Sequence, residues 1–192
     1  MRKVRKFVKL LLPLVCVFLA SCGETQNEFT LGACHFFFNN AERNDATLAS
    51  AMNPSAPGIF CSITKVTRNG AAYFEFTNNG GLTSSTPLLK PDTQSTLVLG
   101  YNNGIIVGFG ALSSPPVFYA FDRECPNCFD PEAIPIKSRP LSMGVNGIAT
   151  CGVCHRQYDL NNNGFISSGE NGKRLTRYRA STTGPFGVLT VN

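Results

Sequence analysis

Histidine is scarce in this sequence, and the residue patterns of common catalytic sites are missing from it. The 192 residues contain two histidines, and no Ser-His-Asp order, pair of catalytic acids or phosphate-binding loop occurs. Gly108-Phe109-Gly110 lacks the third glycine and the following helix of a dinucleotide-binding motif. The sequence therefore offers little support for an enzyme and identifies no substrate.

A membrane-spanning hydrophobic run is not present in the first part of the chain. The apolar run at residues 10–20 is too short to cross a bilayer as a helix. It follows five basic residues with no acidic one among them, namely Arg2, Lys3, Arg5, Lys6 and Lys9. This order is typical of a secretory leader. Because Lys3 and Val4 separate the two arginines, no twin-arginine pair occurs, and we expect export in the unfolded state.

The end of the apolar run carries a further signal. Leu19-Ala20-Ser21-Cys22 resembles the lipobox of bacterial lipoproteins. The resemblance implies that residues 1–21 are a signal peptide, that cleavage occurs before Cys22, and that Cys22 is lipidated. It also implies a lipid-anchored protein of the bacterial cell envelope, on its periplasmic or cell-surface face, with the membrane as a partner.

The positive net charge belongs to the leader. Five of the 17 Lys and Arg precede Cys22, which leaves 12 against 12 Asp and Glu. A mature chain without net charge gives no reason to expect nucleic acid as a partner. Its roughly 170 residues fit one globular unit. We divide it into a lipidated tether with a short helix at 22–58 and a β domain at 59–192.

Short strand-like runs separated by turn residues predict an all-β domain. They lie at 59–66, 71–77, 96–101, 105–109, 117–121, 157–160, 165–167, 174–180 and 186–191. Asn69-Gly70 favours a type I′ hairpin between the first two runs, and Asn102-Asn103-Gly104 predicts a second hairpin. Upstream, residues 34–38 predict an edge strand, and residues 45–52 predict a short helix capped by Asn44 or Asp45.

Two cysteine pairs are the main chemical feature of the sequence. Cys125 and Cys128 form one CxxC motif, Cys151 and Cys154 form another, and 22 residues separate them. A short turn lets both sulfurs of such a motif face one point, so the two turns together predict a four-cysteine metal site. Four thiolates suit zinc or an iron–sulfur cluster.

The segments around these cysteines resemble a Rieske domain. They are Phe118-Tyr119-Ala120-Phe121-Asp122-Arg123-Glu124-Cys125, Ala149-Thr150-Cys151-Gly152-Val153-Cys154-His155-Arg156-Gln157-Tyr158-Asp159-Leu160, Gly164 and Leu175-Thr176-Arg177-Tyr178. That family has a Cys-x-His loop, a Cys-x-x-His loop, an aromatic-Asp hairpin and a Leu-x-x-Tyr strand in this order. The resemblance implies a Rieske-like antiparallel β-sandwich or barrel with a small rubredoxin-like cysteine-loop subdomain. It also implies a 2Fe-2S cluster and electron transfer with a redox protein partner.

The ligand positions depart from the family pattern. Cys125 and Cys151 match its two cysteines, whereas Asn127 and Cys154 stand where its histidines would be. Cys128 is one residue beyond the expected ligand. A bound cluster would therefore have four thiolate ligands and would lack the rise in potential that imidazole ligands bring.

Two other outcomes stay open for the same four thiols. Two CxxC motifs are typical of a zinc ribbon, so zinc fits the ligand set. Exported cysteines also tend to oxidise, and the pairs could close as disulfides. With zinc or disulfides, we expect a non-enzymatic binding or assembly protein of the cell envelope.

Three further residues accompany the predicted site. His155 follows Cys154 directly, and its ring is expected to support the site by donating to a backbone carbonyl, although it could also replace a cysteine as a ligand. Cys34 and Cys61 remain once the other cysteines are assigned. A pair of cysteines in an exported protein predicts a disulfide around the short helix.

A stretch downstream matches a calcium-binding loop. It begins at Asp159 and ends at Glu170, with Asn161 and Asn163 as further ligand candidates. Its surroundings do not favour helices on both sides, as an EF-hand requires. We therefore prefer a β-hairpin with Asn163-Gly164 at the turn, and regard calcium as the less favoured interpretation.

Overall fold

The computed structural model describes residues 28–30, 34–94 and 96–192. The predicted signal peptide at 1–21 and the predicted lipidation site Cys22 lie outside these residues. The described chain is all-β, as predicted, and its strands are β1 (Phe36–Asn39), β2 (Phe60–Arg68), β3 (Ala71–Asn78), β4 (Thr83–Pro87), β5 (Gly104–Phe109), β6 (Phe118–Asp122), β7 (Leu141–Met143), β8 (Ile148–Cys151), β9 (Gln157–Asp159), β10 (Phe165–Ser168), β11 (Arg177–Tyr178), β12 (Ala180–Thr182) and β13 (Val188–Val191).

Helices are few and short in the described residues. They are α1 (Asn40–Arg43), α2 (Ala46–Ala51) and α3 (Lys90–Gln94), with a 3₁₀ turn at Leu160–Asn162. No helix among residues 28–30, 34–94 and 96–192 has the length and apolar character needed to cross a membrane.

The strands of the described chain form three antiparallel sheets. The largest has the order β11-β6-β5-β2-β3-β4. A second sheet has the order β1-β13-β12, and the third, β10-β9-β8-β7, carries the second cysteine pair. The first cysteine pair follows β6 of the largest sheet, so each pair begins at the end of a strand in a different sheet.

The largest sheet lies between two hydrophobic cores. Side chains alternate across a strand, so Ile105 and Val107 face one core, whereas Ile106 between them faces the other. In β6, Ala120 and Phe121 divide in the same way. The first core is shared with β1, β13 and α2, and the second is shared with the sheet that carries Cys151.

Phenylalanine dominates the first core. Phe36 and Phe38 of β1 pack on Phe74 and Phe76 of β3, with edge-to-face ring contacts 5.2–5.7 Å between centroids. These rings are almost completely buried. Because β1 also pairs with β13, the segment before residue 58 shares its core with the strands after it.

Several local predictions are confirmed. Asn69 and Gly70 both have positive φ, 51° and 79°, as a type I′ turn between β2 and β3 requires. β1 lies at the edge of its sheet. The predicted helix is α2, whose first turn is capped by Asp45 through a bond from the backbone N–H of Leu48.

The second predicted hairpin is wrong. β5 pairs with β2 and β6 instead of with residues 96–101. That run contributes Leu99 to the first core and one isolated bridge, between Val98 and His35. The leucines of this run pack in the first core without forming a strand of a hairpin.

The predicted disulfide between Cys34 and Cys61 is not formed. Both are free thiols that are buried in the first core. Burial raises the pKa of Cys34 to about 11, although a hydrogen bond with the backbone of Gly100 opposes the rise. The pKa of Cys61 is also raised, first by burial and then by the charge of Asp45. The two thiols thus have different neighbours, although both belong to one core.

Candidate metal centre

The four predicted ligand cysteines lie together. The sulfur atoms of Cys125, Cys128, Cys151 and Cys154 are all within 4.8 Å of one another. Cys125 and Cys151 are buried, whereas Cys128 and Cys154 are half-buried. The cluster therefore lies at the surface of the second core, with two sulfurs on its inner side and two facing outward.

Backbone hydrogen bonds shape the first cysteine loop. The N–H groups of Cys128 and Phe129 both donate to the carbonyl of Cys125, at 3.1 and 2.9 Å. The N–H of Cys125 donates to the carbonyl of Arg139 at 2.9 Å. This turn brings the Cys128 sulfur back toward the Cys125 sulfur and fastens the loop to the chain that returns to β7.

The second loop joins β8 to β9. The N–H of Cys151 donates to the carbonyl of Arg156, and the N–H of His155 donates to the carbonyl of Cys151, both at 3.0 Å. His155 has a positive φ of 58°, which closes the turn. The side chain of His155 is exposed. Among the described residues, no carbonyl beside the cluster accepts the hydrogen bond that was predicted from its ring. The backbone of His155 supports the loop instead.

Side-chain hydrogen bonds of Tyr158 and Asn127 connect the first loop to neighbouring parts of the chain. The hydroxyl of Tyr158, which is buried, lies 3.3 Å from the sulfur of Cys125. The side-chain amide of Asn127 donates to that hydroxyl at 2.9 Å and to the carbonyl of Lys173 at 2.7 Å, and its oxygen accepts from the N–H of Lys173 at 2.9 Å. A Cβ atom at Gly172 would lie 2.5 Å from the side-chain oxygen of Asn127, so a larger residue there would displace Asn127 from these bonds. Because the Tyr158 hydroxyl oxygen accepts from Asn127, its proton is available for donation to the Cys125 sulfur.

Replacing Tyr158 with phenylalanine should weaken metal binding about tenfold without unfolding the chain. The change removes one hydrogen-bond donor to the Cys125 sulfur and keeps the buried ring, and such supporting contacts typically contribute 10–100-fold to affinity. Competition with a chromophoric chelator measures the affinity. Tyr119→Phe, where the ring packs against Phe121 and Arg177, is the matched control. Equal affinity in Tyr158→Phe and the wild type would contradict this role.

Electrostatics differ among the four thiols. Burial raises the pKa of Cys125, and burial together with a hydrogen bond to Cys154 raises that of Cys128 to about 12. Burial alone would raise the pKa of Cys154 as well, but hydrogen bonds from the backbone and side chain of Arg156 and from neighbouring thiols lower it to about 6. Arg156 therefore favours the thiolate form of Cys154. A bound dication favours deprotonation of the remaining thiols.

Arg156 is a residue that the sequence reasoning missed. Besides Cys154, its guanidinium binds the carboxylate of Glu170 at 3.0 Å and the backbone carbonyl of Glu170 at 2.9 Å. It thus fastens the second loop to the segment that follows β10. Its position two residues after Cys154 was a local signal that could have suggested this contact.

Two buried acids anchor the chain just before Cys125. Asp122 accepts hydrogen bonds from the Tyr178 hydroxyl at 2.6 Å and from the N–H groups of Tyr101 and Glu124 at 2.7 Å. Burial raises the pKa of the Asp122 carboxyl, although these three bonds act against the rise. Glu124 accepts from Ser138 at 2.6 Å and from the backbone N–H of Arg139. These bonds fix both ends of the first loop.

The stretch that matches a calcium loop is a hairpin, as preferred from the sequence. β9 and β10 pair across it, and Asn163 has a positive φ of 54°. Its candidate ligands have other partners. Asp159 accepts from the N–H of Asn161, Asn161 accepts from Ala111, Asn163 accepts from Arg177, and Glu170 pairs with Arg156. The asparagines therefore join this hairpin to neighbouring loops.

Comparison of the chain with models of protein families, with curated proteins and with solved structures finds no match. The class of protein therefore rests on the fold and the site. The chain is an all-β protein whose four clustered cysteines are compatible with metal binding.

Proposed function

We propose that the chain is a membrane-tethered lipoprotein of the bacterial cell envelope whose four cysteines bind a single zinc ion. The ion joins the two cysteine loops and completes the folded tip of the domain. The observation that carries the proposal is the close spacing of all four sulfur atoms. The membrane tether rests on the lipobox-like sequence that ends at Cys22.

The sulfur distances favour one ion. Four thiolates at about 2.3 Å from a tetrahedral zinc are about 3.8 Å from one another. The sulfurs of Cys125 and Cys154, one from each loop, are 3.8 Å apart, and the largest separation in the cluster is within 4.8 Å. In a two-iron cluster, sulfurs on different irons lie further apart than sulfurs on one ion. The compact arrangement therefore fits a mononuclear site better.

Zinc also suits the donor set and the place of the site in the fold. Four thiolates without an open position are typical of structural zinc. The first loop follows a strand of the largest sheet, and the second loop follows a strand of the third sheet. Because the loops meet beside the second core, an ion bound there links these two sheets. Binding energy at such a site contributes to the stability of the folded chain.

An iron–sulfur cluster with a role in electron transfer is the second candidate. It follows from the Rieske-like order of the cysteine loops and strands, and one observation favours it. Cys128 and Cys154 are half-buried, so a centre held by them would be close to solvent and to a redox protein partner. With four thiolates and no histidine ligand, none of the ligands of this cluster would bind or release a proton, so electron transfer would not be coupled to proton transfer at the ligands.

Metal analysis of the protein purified from its native envelope tests both candidates. We expect about one zinc per chain and a colourless protein. Two irons with two sulfides, a brown colour and reversible bleaching on reduction would favour the electron carrier and contradict the zinc proposal. Loss of all four thiols without metal would contradict both candidates, because the pairs would then be disulfides.

A further inference from the structure

The residues just after the predicted lipidation site are fastened to the domain. The ring of Phe29 packs against two guanidinium groups, with the Cζ atom of Arg177 at 4.8 Å and that of Arg179 at 5.4 Å from its centroid. The guanidinium of Arg177 also packs on the ring of Tyr119, with Cζ 4.7 Å from the ring centroid. Stacking between cationic and aromatic groups stabilises such contacts. We name residues 28–30 with Arg177 and Arg179 the clasp.

Polar contacts strengthen the clasp. The backbone N–H of Thr30 donates to the carbonyl of Arg177 at 2.8 Å. The guanidinium of Arg177 also pairs with the carboxylate of Glu28, and its side chain is largely buried while that of Glu28 is half exposed. Glu28 is held by an ion pair, Phe29 by ring stacking and Thr30 by a backbone hydrogen bond. These three consecutive residues therefore have a defined position on the surface.

The clasp lies beside the metal centre. Arg177 pairs in register with Phe121, one residue before the end of β6, and the first cysteine loop follows β6. One surface groove is lined by Glu28 and Thr30 of the clasp and by Pro126, which stands between the first two cysteines. The chain therefore reaches the domain at the end that carries the cysteine loops.

We propose that the clasp holds the cysteine loops toward the membrane, so that the metal centre faces the lipid headgroups instead of pointing away from them. The inference rests on the proposed lipidation of Cys22. Five residues lie between Cys22 and Glu28, and the six Cα–Cα steps that join them span at most about 20 Å. A tether of that length, fastened next to the loops, keeps the loop end of the domain close to the bilayer.

The charges beside the groove fit this surface. Lys173 and Arg174 line it, and Lys173 and Arg179 are exposed. Basic side chains near a bilayer are attracted to anionic headgroups. We therefore expect the loop end to contact an anionic lipid surface, and the opposite end of the largest sheet to face away from it.

The absence of tryptophan from the sequence permits a direct test. A single tryptophan is introduced at Val153, which is 56% exposed between the second pair of cysteines, or at Leu82, which is 61% exposed. Neighbouring strands are antiparallel, so β6 runs toward the cysteine loops and β3 runs away from them. Leu82, in the turn after β3, therefore lies at the far end.

The full acylated lipoprotein is reconstituted into phosphatidylglycerol-containing vesicles whose headgroups carry a nitroxide quencher. We expect strong loss of fluorescence for Val153→Trp and little loss for Leu82→Trp. Phe29→Trp, which keeps an aromatic ring in the clasp, is the positive control for proximity to the membrane. Equal quenching at positions 153 and 82 would overturn the proposed orientation.

A variant that disrupts the clasp tests whether the clasp orients the domain, independently of the attachment of the lipid to the membrane. In the Val153→Trp protein, Phe29→Ala should reduce quenching to the level seen at position 82. Phe186→Ala, another half-exposed phenylalanine, should leave the quenching unchanged. Quenching that persists in Phe29→Ala would contradict a role of the clasp. If the wild-type protein purified from its native envelope does not associate with vesicles at all, lipidation at Cys22 and the orientation that depends on it are both contradicted.

Discussion

Replacing Cys151 with serine is expected to abolish metal binding at the cluster and to lower the melting temperature by about 10 °C. The Cys151 side chain is buried at the inner side of the cluster, and a serine hydroxyl is a poor ligand for zinc. A ligand present at about 1,000 times its Kd stabilises a folded chain by about 4 kcal/mol. For a chain of this size, each kcal/mol corresponds to about 2–4 °C. Calorimetry with metal analysis measures both effects.

Cys34→Ser is the matched control for this experiment. Cys34 is also a buried free thiol, but it belongs to the first core. Its replacement should lower stability modestly and leave the metal content unchanged. A strong chelator should lower the melting temperature of the wild type and of Cys34→Ser, and it should have no effect on Cys151→Ser. Chelator-independent melting in all three proteins would mean that no metal stabilises the fold.

The metal centre could be predicted because its geometry is largely local. Two residues between cysteines are enough to turn both sulfurs of a pair toward one point. The meeting of the two pairs was the long-range step, and it is confirmed by the 4.8 Å limit on their separations. The Asn69-Gly70 turn was predictable for the same reason, since its positive φ values depend on two neighbouring residues.

Contacts between distant segments were not accessible from the sequence. The hydroxyl of Tyr158 reaches Cys125 from another sheet, and no spacing rule connects residues so far apart. The Cys34–Cys61 prediction failed for the related reason that two unassigned cysteines carry no information about their distance. Strands β7 and β8 were missed because they are short and are specified by pairing with each other between the two cysteine loops.

The anchoring contacts of Asp122 lead to the second large expected effect. Asp122 is completely buried and lies three residues before Cys125. Its carboxylate accepts from one hydroxyl and two backbone N–H groups. Gly100 is required beside it, because a side chain at that position would collide with the carboxylate. The carboxylate therefore joins β6 to residue 101 and to β11.

Asp122→Ala is expected to lower the free energy of unfolding by about 3–5 kcal/mol, because each buried donor left without a partner costs about 1–3 kcal/mol. Tyr178→Phe removes one of the three bonds and keeps the ring, so it should cost about 1 kcal/mol. Asp130→Ala is the control, since that exposed aspartate accepts one local bond, from Glu132. Urea denaturation measures the three values. If Asp122→Ala costs no more than Asp130→Ala, then Asp122 does not anchor the first cysteine loop. The position of Cys125 must then be determined by the metal, by its contact with the Tyr158 hydroxyl and by the bond from its N–H to the Arg139 carbonyl.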